Sequence, residues 1–144
     1  MRALLLVMLF AATAVADPKP TVTVTTKTIE LSQPIYFEVG KAVIKEDSYP
    51  LLDQLAATLV AQPKIGLVEI QGHTDERGAE AFNLKQSDDR AHAVLDYLVG
   101  KGIDSKRLRA KGYGETKPLD RAHNEKAWSK NRRTAFVILQ RRTT

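Results

Sequence analysis

Residues 66–71 (GLVEIQ) and the patterned stretch 79–99 that follows them constrain this chain most. A run that short and nearly all apolar reads as a strand inside a sheet. Ala91, Val94, Leu95, Leu98 and Val99 recur at three- and four-residue steps and line one face of a helix. Gly100 and Gly102 end that helix. A strand followed by a long amphipathic helix must lay the helix's stripe back on the sheet, because each layer has one apolar side to hide.

The same alternation runs along the chain. Residues 48–61 (SYPLLDQLAATLVA) form a helix with Pro50 tolerated in its first turn and Leu52, Leu55, Ala56 and Leu59 on one stripe. Pro63 stops it. The alternating β-branched stretch 21–28 (TVTVTTKT) predicts an extended strand, and 35–39 (IYFEV) a second one broken by Gly40. Residues 107–113 (RLRAKGY) and 133–139 (RTAFVIL) predict the last two strands, with one or two helical turns at 124–130 between them. No long helix separates those two strands, so the sheet is mixed. The fold class is α+β: a β-α-β-α-β mixed sheet flanked by helices on one side.

Arg2, the apolar stretch 3–15 and the small-x-small step Ala14-Val15-Ala16 predict a secretory signal peptide over 1–16. That stretch is shorter than the ~20 residues of a membrane-spanning helix, and no other segment approaches that length. The predicted organisation continues with a lead-in carrying a strand at 17–34, one domain at 35–140 and a basic end at 141–144. With 43% hydrophobic residues the domain can bury a core. There is no cysteine, so neither a disulfide nor a lipid-anchored amino-terminal cysteine is expected. A net charge of +5 would suit nucleic acid in a cytoplasmic protein, but export and only 6% aromatic residues argue against it. Anionic envelope polymers or an acidic lipid surface fit better.

The chemistry concentrates in GHTDERG, residues 72–78. His73 and Asp75 could ligate a metal, but a site needs three or four protein ligands and none other has suitable spacing. Asp75 and Glu76 are adjacent carboxylates, yet no nucleophile or base partner accompanies them. Arg90 lies on the inward face of the long helix, with Asn83 seven residues before it on the same face. A guanidinium there demands a partner. Either Asp75 and Arg90 pair with each other, or both address one zwitterionic molecule, the carboxylate taking an ammonium and the guanidinium a carboxylate.

GHTDERG, Asn83, Ser87, Arg90-Ala91, Gly112-Tyr113-Gly114-Glu115 with Pro118, and Asn131-Arg132-Arg133 fall in an order that resembles OmpA-like peptidoglycan-binding domains. The likeness runs from about Ile35 to Leu139, and GHTDERG with AWSKNRR (127–133) is similar to the peptidoglycan-associated lipoprotein branch. The resemblance implies non-enzymatic binding of the wall's stem peptide in the periplasm, in association with the outer membrane and with no cofactor. It implies that Asp75 and Arg90 hold the amino and carboxylate groups of meso-diaminopimelate, with Thr74, Asn83 and Arg132 around the ligand. Glu38 stands where the family usually has an aspartate, and Val39 and Gly40 follow where polar residues are common. Gln86 replaces a usual leucine and residues 126–128 a common Gly-Arg. An envelope protein partner is the alternative that these departures leave open.

Overall fold

The computed structural model describes residues 11–16 and 18–143; most of the predicted signal peptide, residues 1–10, lies outside the described residues. The elements are β1 (Val22–Val24), β2 (Thr28–Leu31), α1 (Tyr49–Ala61), β3 (Ile65–His73), α2 (Glu80–Gly100), β4 (Leu108–Gly114), α3 (Glu125–Asn131) and β5 (Arg133–Arg141). Short 3₁₀ turns at Glu46–Ser48 and Ser105–Arg107 lead into α1 and β4. The five strands form one sheet in the order β1-β2-β5-β3-β4. β3 and β4 are parallel, as the α2 crossover between them requires, and the other pairs are antiparallel. The mixed α+β sheet expected from the pattern is therefore the fold.

Burial follows the apolar spacing. In α1, Leu51, Leu52, Leu55, Ala56 and Leu59 are buried, and they meet Ile29, Val68, Ile70 and Phe136 from the sheet. Val94 and Leu98 of α2 complete this core, whereas Val99, expected on the same stripe, is 39% exposed. Nearer its start α2 buries Asn83 and Ser87 instead. There the sheet is bare: a Cβ on Gly72 would sit 2.1 Å from the Ser87 carbonyl oxygen, and one on Gly112 would sit 2.3 Å from the Asp88 nitrogen. Gly112 thus serves close approach rather than a turn, while Gly114 has a left-handed φ of 55°.

Two sequence expectations change. The predicted strand over 21–28 is a hairpin, turned at Thr25 by a backbone bond to Thr28 of 2.8 Å and by the Thr25 hydroxyl. Its second arm, β2, joins β5 through Thr28↔Val137 and Ile29↔Phe136, so part of the predicted lead-in is sheet. Residues 35–39 are not a strand. Pro34 has no N–H for a ladder, the Tyr36 N–H goes to the Ser48 hydroxyl at 2.8 Å, and Phe37 makes only an isolated bridge with Ile44. The segment becomes a tight turn laid across the carboxyl end of β3's side of the sheet, where it helps wall a cavity.

Candidate ligand-binding cleft

β3 ends at His73, and the Thr74 N–H donates to the Gly114 carbonyl at 2.9 Å, which fixes the start of the loop on the end of β4. Asp75 is only 7% exposed. Its Oδ1 accepts the Arg77 N–H at 2.9 Å and Nε at 3.2 Å; its Oδ2 accepts Arg77 Nη2 at 2.8 Å and Arg132 Nη1 at 2.9 Å. Burial alone would raise the Asp75 carboxyl, but the Arg77 side chain and N–H, with Arg132, outweigh it and hold it at about 2. Asn83 braces the loop from α2, donating to the Arg77 carbonyl at 2.9 Å, and the Thr74 hydroxyl donates to the Asp75 carbonyl at 2.9 Å.

The other half of the loop turns outward. Glu76 accepts Trp128 Nε1 at 3.0 Å and meets His123, and the Arg77 guanidinium lies 4.3 Å from the centre of the Trp128 ring. Trp128 thereby ties α3 to the GHTDERG loop. Asn131 accepts the Leu119 and Asp120 N–H groups at 2.8 and 3.0 Å, so the chain before Arg132 is pinned as it turns toward Asp75. Arg132 then bridges Asp75 and Glu125, the latter at 2.7 Å.

Arg90 is different. Its Nε donates to the Lys41 carbonyl at 3.0 Å and its guanidinium sits 5.0 Å from the Phe37 ring centre, but among the described residues it has no carboxylate partner. Burial lowers its pKa, yet a guanidinium stays charged. The internal Asp75–Arg90 ion pair that the sequence left open does not form, because Arg77 and Arg132 take the carboxylate. Asp75, Thr74, Asn83, Gln86, Arg90 and Arg132 all face one open cleft of about 390 Å³. Across Arg90 and Arg132 it adjoins a second hollow of about 260 Å³ between residues 34–37 and 132–134.

Five of the six residues singled out in the sequence therefore share a cleft. Glu38 does not line it: Glu38 is half-exposed on the 37–44 turn and pairs with Lys41 at 3.7 Å. The extra methylene is not the reason; its place on a solvent-facing turn is. Sequence reasoning missed Arg77, whose signal was an aspartate two residues ahead of it, the spacing of a side chain that caps a turn N–H. His73 faces the opposite side of the sheet, where its Nε2 meets Gln71 Oε1 at 3.0 Å and its ring stacks on Tyr113. Among the described residues no three His, Asp or Glu side chains converge as a ligand set.

The cleft can hold opposite charges, with one condition. A carboxylate offers about four lone-pair sites, and those of Asp75 already take four donors. An incoming ammonium must displace or share an arginine. Arg90 has open N–H groups and can take a carboxylate without rearrangement.

Residues 36–132 match the OmpA family. The chain is 36% identical over 111 residues to the peptidoglycan-associated lipoprotein of Rhizobium meliloti, covering 77% of this chain and 62% of that protein. It is 42% identical over 97 residues to outer membrane protein A of Klebsiella aerogenes, covering 67% of this chain and 28% of that protein. The chain thus spans less than two-thirds of the length of each of these curated relatives. The crystal structure of the peptidoglycan-associated lipoprotein from Burkholderia pseudomallei superposes with a TM-score of 0.63 at 31% identity, over 74% of this chain and 89% of that one. The periplasmic domain of Helicobacter pylori MotB superposes at 0.66 with 19% identity, over 83% of this chain and 80% of that one, a likeness of fold. Motifs, sheet order and sequence identity agree: the chain belongs to the OmpA family.

Proposed function

We propose that this protein is exported to the periplasm, its signal peptide being residues 1–16, and binds peptidoglycan there without catalysis, holding the diaminopimelate residue of a stem peptide in the Asp75–Arg90 cleft. The observation that carries the reading is Arg90: a half-buried, charged guanidinium with no carboxylate partner among the described residues, facing a cleft that also holds Asp75. The likeness to peptidoglycan-associated lipoproteins supports the same reading. Arg90 takes the ligand's side-chain carboxylate, and Asp75 takes its ammonium as Arg132 or Arg77 gives way. Thr74 and Asn83 hold the loop in place, and in the envelope such binding tethers the outer membrane to the wall.

The test is retention on purified sacculi. Arg90→Ala and Asp75→Ala each remove a charge-assisted contact of ~1.5–3 kcal/mol, a roughly ten- to hundredfold loss of affinity. A soluble stem peptide with lysine in place of diaminopimelate lacks the carboxylate that Arg90 takes and should bind more weakly. Undiminished retention of the double variant, with its folding checked by circular dichroism, overturns the assignment.

A second reading, docking of an envelope protein beside the cleft, is favoured by Val39 and Phe82. They are 93% and 59% exposed on the turn and on the first part of α2. Val39→Ser and Phe82→Ser would weaken such a contact and leave sacculus retention intact.

A further inference from the structure

The two layers of this molecule carry opposite charge. Glu46–Ser48, α1 and α2 together hold seven acidic residues against two basic ones. The sheet face that no helix covers among the described residues is the reverse. Side chains alternate along a strand, and the register sets Glu69 beside Arg109 and Val137, Gln71 beside Lys111 and Ala135, and His73 beside Arg133. Arg141, beyond the bulges at the end of β5, donates to the Thr25 and Thr26 carbonyls, and Lys117 folds back to 4.3 Å from the Tyr113 ring, with Lys111 at 4.9 Å.

Of the cations on this face, Arg109, Lys111 and Lys117 are exposed, and Arg133 is half-buried. The acid in their midst is withdrawn: Glu69 is 5% exposed, receives the Tyr113 hydroxyl and the Gln71 amide, and lies 3.9 Å from Arg109. Glu30, exposed on β2, shares the face two residues on from the Thr28 that pairs with Val137. Leu139, 40% exposed, interrupts the charge with an apolar side chain.

The arrangement is planar. Neighbouring strands lie about 4.8 Å apart and residues on one face about 6.7 Å apart along a strand, so the cations spread over two dimensions rather than along a line. A small anion has no cavity to enter beneath Lys111, Lys117 and Arg109, and a single anionic polymer would be held better by a groove. A plane of headgroups matches a plane of cations, with the acidic helix layer turned away from it. We propose that the uncovered sheet face docks on an anionic bilayer surface, with phosphatidylglycerol-type headgroups against Arg109, Lys111, Lys117 and Arg133. The cleft opens at the carboxyl end of β3 rather than on this face, so both contacts are available to one molecule.

The experiment is co-sedimentation of the purified protein with phosphatidylcholine vesicles prepared with and without phosphatidylglycerol. Binding is expected only to the anionic vesicles, and it should fade with salt. Lys111→Gln and Lys117→Gln should each weaken it roughly fivefold, without moving the urea midpoint. Lys85→Gln on the helix layer should change nothing. The Asp75→Ala/Arg90→Ala variant should sediment with vesicles as the unaltered protein does, so this proposal and the cleft reading fail separately. Equal binding to neutral vesicles, indifference to the Lys111 and Lys117 changes, or retention on immobilised dextran sulfate without retention on vesicles would overturn it.

Discussion

The two halves of α2 meet the same sheet by different physics. Its later half lowers Val94 and Leu98 among leucines and isoleucines, a contact that side chains of similar volume could replace. Its earlier half lays backbone on backbone, Ser87 and Asp88 against Gly72 and Gly112, with the Ser87 hydroxyl accepting the Gly114 N–H at 2.9 Å. The first contact supplies burial and tolerates change. The second tolerates almost none, and it is the one that carries Asn83 and Arg90 to the cleft. Shape precision in this protein is concentrated where the cleft-lining groups are.

Substitution should break that contrast most visibly at Gly72. Gly72→Ala puts a methyl group where only backbone stands, so α2 must lift. A loss of more than about 3 kcal/mol in urea unfolding is expected, at or beyond the usual range for overpacking. Near-normal stability in that variant would show the close approach to be soft. Leu98→Ala should cost about 2–4 kcal/mol through a cavity and still leave the cleft intact, read as unchanged sacculus retention at a temperature where the variant is folded.

Acid should separate the halves more gently. The Asp75 carboxyl sits at about 2 in the fold against 3.8 unfolded, so its contribution is complete above about pH 4 and is lost as pH falls toward 2. His73, pushed to about 4 by burial and then by Arg133 and Lys117, stays neutral in the fold while the unfolded chain takes up a proton below about 6.5. Stability should therefore decline in two steps, His73 across pH 6.5 to 4 and Asp75 across 4 to 2. Asp75→Asn should shrink the lower step, to which the lowered carboxyls of Glu69, Glu76 and Asp120 also add, by roughly 2–2.5 kcal/mol, and leave the upper one. Leu98→Ala should lower the whole curve without reshaping it.

What could be read from the residues follows the same division. The leucine end of α2, the buried β3 and the closing β5 were legible because burial imposes a period. Asp75, Asn83 and Arg90 could be grouped from helix spacing and charge, whereas Thr74 and Arg132 joined them only because the motif order resembles a family. Hydrophobic spacing could not reveal that Arg77 and Arg132 fill the Asp75 carboxylate, since a run of charges on a loop looks the same however its members pair. The 21–28 hairpin was hidden because β-branched residues continue through its turn without glycine or proline. Residues 35–39 misled for the opposite reason: their composition favours a strand, but Pro34 and the Ser48 hydroxyl divert the backbone.

Gly72 and Gly112 have one more effect. With no side chains there to compress or reorient, the helix has little room to slide along the sheet, so the separation of Asp75 from Arg90 is built in before any ligand arrives. On the proposed reading such a cleft acts as a gauge: its fixed span favours molecules whose opposite charges match it, and only the arginines on Asp75 have to shift.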